Sequence, residues 1–256
     1  MYYLLQSGLF KSHHEEKLIK VLERLKLEYE WVKFVPFVHD IEFETDRKDV
    51  MCFGSTMFSN AAVKYGWFPG SFYNENHDYE IYSKYYKEHL LNYDSKILSL
   101  TDTIDFKGES LFIRPCKDSK IFNGKLFNEH DWQDTLDIIN ANWPERLNDK
   151  IQVSIPKTIY QEHRCWIVQG ECVTISQYKL GNQVFYQNED HNEAILSFVN
   201  RMLMIYQPAP AFVMDICFTE EGTKIVEINN LNAAGFYDSN LQKLIFALEK
   251  NFGIDQ

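Results

Sequence analysis

The chain has 256 residues, 45% hydrophobic and 15% aromatic, which is enough to bury a sizeable core in one large or two small domains and excludes a disordered chain. Its formal charge of −11 excludes a broad nucleic-acid footprint, which would need clustered Lys and Arg. The longest apolar runs are broken by charge well short of the ~20 residues of a membrane helix, and the start Met1-Tyr2-Tyr3-Leu4-Leu5 lacks the basic region of a secretory signal, so a cytoplasmic protein without a membrane partner is expected.

Taken in chain order, residues 2–6 predict a strand. Ser12 is expected to cap an amphipathic helix, with Glu15 at the third helical position and Leu18, Ile19, Leu22 and Leu25 along its apolar stripe. Strands at 29–37 and 50–53, then Gly54-Ser55 and a short helix to Lys64, predict a small α/β unit with a mainly parallel sheet, ended by residues 66–70. Asp78 opens a helix over 79–91. Strands at 96–100 and 110–115 precede an irregular polar stretch, 117–124, and a helix from His130 to about Asn142. Further strands are predicted at 151–155, 158–169 and 171–178, the last two joined at Gly170 as a tight hairpin. A helix from about Asn192 to Tyr206 stops before Pro208 and Pro210. A second hairpin, 211–218 and 224–230 around the turn 219–223, and a helix over about 240–252 complete the chain. Cys52, Cys116, Cys165, Cys172 and Cys217 form no Cys-x-x-Cys pair and sit in hydrophobic segments, as small core residues in a reducing compartment do. The eight histidines have no zinc spacing, and His13-His14 reads as a polar helix start.

The second hairpin carries the chemistry. If its runs pair around the turn, Asp215 lies opposite Glu227 and Val213 opposite Asn229, so three oxygen-bearing side chains project from one face. Like charges opposed on a sheet repel, and apolar neighbours worsen the cost; a hard divalent cation such as Mg²⁺ reverses that sign, taking one or two carboxylates and filling its other positions with water and phosphates. The same spacing also fits two rim residues of a partly exposed strand pair with Asn229 ending the second strand. Arg114, at the end of an apolar strand and followed by Lys117, Asp118, Ser119 and Lys120, suits a triphosphate cradle, since Arg is a fixed charge whose donors match phosphate oxygens. It equally suits a structural arginine paired with a core carboxylate. Glu162 and Arg164 alternate onto one face with Trp166, as catalytic groups or as a cross-face ion pair.

In this order the elements resemble the ATP-grasp superfamily: a strand ending in a basic residue and a phosphate loop, a hinge, the Glu162-x-Arg164 strand of a hairpin, and the Asp215 … Glu227-x-Asn229 pair near the C-terminus. The run Phe212-Val-Met-Asp-Ile to Val226-Glu-Ile-Asn-Asn230 is similar to the family's most diagnostic segment, and Arg114, where most relatives carry lysine, resembles a clade known from phages and bacteria. The resemblance covers roughly residues 78–250. It implies an α+β fold of two lobes clasping nucleotide, preceded by a small α/β pre-ATP-grasp domain: residues 1–77, then 78–256 with a central lobe over about 96–155 and a C-terminal lobe over about 156–256. The phosphate loop departs from the family in holding only Gly124, without the small-residue run of many relatives.

What the resemblance implies for the site follows residue by residue. Asp215, Glu227 and Asn229 would hold Mg²⁺ on the β- and γ-phosphates of ATP. Arg114 and Lys120 would contact phosphates, with Arg164 near the γ-phosphate or an acyl-phosphate and Glu162 beside it. Residues 153–157, with Ser154, Ile155 and Lys157, would be the hinge whose backbone reads adenine, and Lys84 or Lys87 would be a further family lysine. The implied activity is ATP-dependent ligation of a carboxylate to an amine, on an amino acid, a peptide or a protein terminus, by a monomer or homodimer. Such a ligase needs alignment and cationic stabilisation of a transferring phosphoryl group, and no enzyme nucleophile. The alternatives are a nucleotide-binding or interaction protein that keeps the fold, and a phosphoryl transferase acting on an alcohol. Residues 231–238 and 176–179 are candidate pocket walls, or simply a polar loop and a strand end.

Overall fold

The computed structural model describes the chain except residues 9–11, 36–39, 118, 120 and 254–256, and at residues 12–15 the backbone alone. Strand β1 (Tyr2–Gln6), helix α1 (Ser12–Arg24), β2 (Glu28–Val32), a short hairpin of β3 (Phe34–Val35) and β4 (Asp40–Ile41), β5 (Val50–Phe53) and α2 (Thr56–Ala62) form the N-terminal unit. Its sheet is parallel in the order β2-β1-β5, as a βαβ crossover requires. The strand expected over 29–37 ends earlier, at Val32, and the chain then turns into the β3-β4 pair. Lys120, expected to touch phosphate, and Asp118 lie outside the described residues.

Helix α3 (Tyr79–Tyr86) is shorter than predicted. Lys87 adopts φ 46, a single 3-10 turn follows, and Leu91 N–H then donates to Ile225 O at 2.8 Å. Pairing with a distant strand replaces the last helical turn. Next come β6 (Lys96–Ser99), β7 (Leu111–Pro115), β8 (Lys125–Phe127), α4 (Glu129–Asn142) and β9 (Lys150–Ser154), whose strands form an antiparallel sheet in the order β6-β9-β7-β8. Ile113, Ile151 and Val153 pack from this sheet onto Trp132 and Ile139 of α4. Asn128 caps α4 by accepting from Asp131 N–H.

The remaining elements are β10 (Gln161–Val168), β11 (Glu171–Leu180), β12 (Gln183–Asn188), α5 (Glu193–Ile205), β13 (Ala211–Thr219), β14 (Gly222–Asn229) and α6 (Leu241–Phe252). Their five strands run antiparallel in the order β12-β11-β10-β13-β14. Strands β10 and β13 are central and buried on both faces; β13 accordingly reads as a nearly continuous apolar run interrupted at Asp215, whereas β10 begins with the buried polar residues Glu162, His163 and Arg164. One face, with Trp166, Ala211 and Val213, packs against Leu244 and Leu248 of α6, Leu18 and Leu22 of α1, and Tyr3 and Leu5 of β1. The other, with Cys165, Ile167, Phe212 and Met214, packs against Tyr82 and Tyr86 of α3 and Val199 and Met202 of α5. Each such fully buried Leu or Phe contributes roughly 1.5–3 kcal/mol. The N-terminal unit therefore shares a core with the five-stranded sheet. Asn232, fully buried just after β14, fastens the join: its Oδ1 accepts from Phe72 N–H at 2.8 Å and its Nδ2 donates to Cys52 O at 2.6 Å.

Candidate active site

The hairpin of β13 and β14 sets Asp215 opposite Glu227 and Val213 opposite Asn229 as expected, although its turn is tighter than the loop 219–223, with Thr219 opposite Gly222, and a bulge between Asp215 and Ile216 makes up the difference. The three polar side chains meet: Asn229 Nδ2 donates to Asp215 Oδ2 at 3.1 Å and to Glu227 Oε1 at 2.8 Å. Asp215 is completely buried, at the end of the face that holds Ala211 and Val213 in the core. Its partner across β10 is Arg164, whose Nε and Nη2 donate to Oδ1 at 2.9 Å and Oδ2 at 2.7 Å, a two-point fork suited to a carboxylate. Arg164 Nη1 donates to Gly235 O at 3.0 Å. Across the cleft, Arg114 Nη1 of the four-stranded sheet lies 2.5 Å from Glu227 Oε2. The acids are thus arranged in one chain, Arg164, Asp215, Asn229, Glu227, Arg114, that spans both sheets.

Burial pushes the Asp215 carboxyl up, to about 6, against the pull of Arg164. Glu227 feels burial too, but Arg114 above all, with the Asn229 hydrogen bond, brings it down to about 2. Both are anions at neutral pH. The donor set suits a hard divalent cation: two carboxylates and a carboxamide converge, all able to present oxygen once the Asn229 amide, which turns its nitrogen to the acids, rotates by half a turn. Among the described residues no group of three or more His, Cys, Asp or Glu side chains could hold a metal. An ion here would therefore rest on two carboxylates and an amide and complete its shell from a ligand, which is the way Mg²⁺ is bound with phosphates.

A cavity of about 420 Å³ opens between the two sheets beside Glu227 and Arg114. Phe112, Phe122, Leu126, Ile159 and Val226 give it apolar walls, and Arg114, Lys117, Lys157 and Lys179 bring positive charge to a chain that is strongly negative overall. That combination fits a flat ring system joined to polyanionic groups. The loop at 122–124 lies against Arg114: a Cβ on Gly124 would sit 2.8 Å from Arg114 Cβ, so only glycine lets the chain approach this closely.

The other predicted residues divide. Lys157 lines the cavity and donates to Asp94 Oδ2 at 2.8 Å. Ser154 ends β9 with a buried Oγ that finds no hydrogen-bond partner among the described residues, and Ile155 is half exposed; neither is among the residues lining this cavity. Glu162 lines it but is not the partner of Arg164: it accepts from Tyr178 Oη at 2.8 Å and Lys179 Nζ at 2.7 Å. Alternation along the strand put the two on one face, yet Arg164 sits directly across from Asp215 and pairs there. Lys84 and Lys87 are exposed and away from the cavity lining. Sequence reasoning missed Gln152, which is 1% exposed and opposite Arg114 on β9, and Leu126 of β8, whose three-residue strand gives no periodic signal. It also missed Tyr237, although the candidate wall 231–238 contains it: Tyr237 has φ 50, and the Arg164 guanidinium lies 4.7 Å from its ring centre.

Among solved structures, D-alanine–D-alanine ligase from Bacillus anthracis has 14% sequence identity and a TM-score of 0.61, covering 98% of this chain and 96% of its own. The L-amino acid ligase from Bacillus licheniformis has 9% identity and a TM-score of 0.62, over 98% of this chain and 74% of its own. The macrocyclase MdnC from Microcystis aeruginosa, bound with precursor peptide MdnA, has 13% identity and a TM-score of 0.53, over 98% of this chain and 100% of its own. At these identities the likeness is one of fold. No curated protein matches. The family model that matches is an ATP-grasp domain, family 3 of its clade; it spans residues 28–248, and the chain belongs to that ATP-grasp family.

Proposed function

We propose that this protein is an ATP-dependent carboxylate–amine ligase that works through an acyl-phosphate, with an amino acid, a peptide or a protein terminus as substrate. The observation that carries the reading is the convergence of Asp215, Glu227 and Asn229, clasped by Arg164 and Arg114, beside a cavity with basic and apolar walls. Support also comes from family membership and from structural neighbours named for amino-acid ligation and for a bound precursor peptide. When bound, Mg²⁺ would neutralise the phosphate oxygens and orient them for in-line transfer.

Asp215, Glu227 and Asn229 would be the protein's share of that ion's ligands. The two arginines neutralise the acids, and with nucleotide in place their remaining donors suit phosphoryl oxygens. Three of the five N–H donors of Arg164 are used by Asp215 and Gly235, which leaves two for a γ-phosphoryl group or an acyl-phosphate. Arg114 would fill the place that lysine holds in most ATP-grasp relatives, and its fork suits two oxygens at once. Residues 153–157, at the end of β9 and the start of its connection to β10, would act as the hinge, with their backbone facing adenine. Alignment of the carboxylate with the γ-phosphate, and cations placed where charge builds up, supply the rate; no side-chain nucleophile is required.

The loop at 117–124, with Gly124 as its one glycine, favours a second reading in which the protein binds nucleotide without ligating. Incubation with ATP, Mg²⁺ and pooled amino acids and small acids separates the two. ADP release that needs both a carboxylate and an amine supports ligation. Nucleotide binding without that release contradicts it, and release with an alcohol alone points to a phosphoryl transferase.

A further inference from the structure

Arg164 is held on more sides than its salt bridge accounts for. Asp215 takes one edge of the guanidinium and the Gly235 carbonyl takes Nη1. The ring of Tyr237 lies under the guanidinium at 4.7 Å from its centre, and that of Tyr178 is 5.7 Å away. Tyr237 is itself packed between two rings, Tyr178 at 4.9 Å and 20° and Tyr186 at 5.4 Å and 27°. Its backbone is unusual: φ 50 is the left-handed region, which a bulky aromatic side chain rarely adopts. A strained backbone at one residue persists only where its surroundings over-determine it, and here they converge on a single cation.

We propose that Tyr237 is a positioning residue for Arg164: its left-handed backbone sets the ring beneath the guanidinium, and the ring keeps the cation from rotating off Asp215 when the acid pair and nucleotide compete for it. The inference rests on the ligase reading above, in which Arg164 serves the γ-phosphoryl group. A flat cation over an aromatic face keeps its in-plane donors available for oxyanions, so the contact fixes the plane of Arg164 without occupying its hydrogen-bonding capacity. Tyr178 serves the same end from the neighbouring strand while its hydroxyl holds Glu162.

Tyr237→Gly is the informative variant, because glycine adopts φ 50 without strain; relief of the backbone offsets lost packing, and the fold is expected to survive. Tyr237→Phe keeps the ring, and Tyr237→Asn keeps neither ring nor much strain. The readout is calorimetric affinity for two probes with Mg²⁺ present: ADP, and a non-hydrolysable ATP analogue that adds the γ-phosphoryl group. The expected result is analogue affinity at least tenfold weaker in Tyr237→Gly and Tyr237→Asn, near wild type in Tyr237→Phe, and ADP affinity within about twofold in all three, since only the third phosphoryl group meets Arg164. Equal losses for both probes, or no loss for either, would overturn the role given to Tyr237. Wild-type protein that binds neither probe would overturn the ligase reading, and this inference with it.

Discussion

At the scale of single residues the site is a problem of compensated charge. Asp215 is fully buried with its two oxygens in the fork of Arg164, so removing its charge strands a buried guanidinium, which costs far more than the pair itself is worth. Asp215→Asn should lower the unfolding free energy by about 3–5 kcal/mol, measured by chemical denaturation. Glu227 is 23% exposed at its side chain and faces the cleft, so Glu227→Gln should cost less than Asp215→Asn, about 1–3 kcal/mol, and is the cleaner probe of ligand binding. His163 gives a pH-dependent term elsewhere in the same strand as Arg164. Burial brings its imidazole down to about 4, below the ordinary 6.5, and its Nδ1 has no hydrogen-bond partner among the described residues. The unfolded chain therefore takes up a proton that the folded chain refuses. Stability is lost as pH falls from 6.5 towards 4, and the raised carboxyl of Asp215 works in the opposite sense over part of that range. Subtracting the pH profile of His163→Gln from that of wild type should isolate the loss below pH 6.5; a flat difference between pH 7 and about 4.5 would contradict it.

At the scale of elements, β7 and the loop after it deliver Arg114 to a carboxylate of the other sheet, and Gly124 governs how closely that loop lies on the arginine. Gly124→Ala should weaken Mg²⁺–ADP binding by about tenfold, roughly 1.4 kcal/mol, with little change in melting temperature, because the strain falls on an edge loop. Unchanged affinity would mean that the loop does not meet nucleotide. Much of this architecture was legible in the sequence. The opposition of Asp215 and Glu227 was legible, but not the turn that leads to it: Thr219 pairs with Gly222, tighter than the loop 219–223, and a bulge between Asp215 and Ile216 restores the register. Strands β1 and β5 were legible as short apolar runs bounded by turn residues, whereas the run from 29 was read too long. What failed has a common cause. Strand β12 has every residue exposed and exists by pairing with β11, and β8 is only three residues long, so neither carries a burial pattern. The end of α3 is set by Leu90 and Leu91 joining β14, a contact between residues far apart in the chain. The pairing of Glu162 with Lys179 depends on a bulge between Glu162 and His163 that no local pattern announces.

At the scale of the molecule, the candidate site lies where two sheets face each other, and the N-terminal unit is tied to the end of β14 by Asn232. Its amide bonds three backbone groups of the N-terminal unit and is fully buried, so Asn232→Ala should cost about 2–4 kcal/mol and lower the melting temperature. Loss of less than about 1 kcal/mol would mean that the two parts are held by their apolar core alone. Asp215, Glu227 and Asn229 are proposed to converge in order to hold a magnesium nucleotide. Titration calorimetry of ADP against wild type and Glu227→Gln, each with and without Mg²⁺, tests it most directly. Wild type is expected to bind in a way that depends on Mg²⁺ and is weakened at least tenfold by Glu227→Gln; affinity indifferent to both the ion and the substitution would rule out a magnesium nucleotide at these residues.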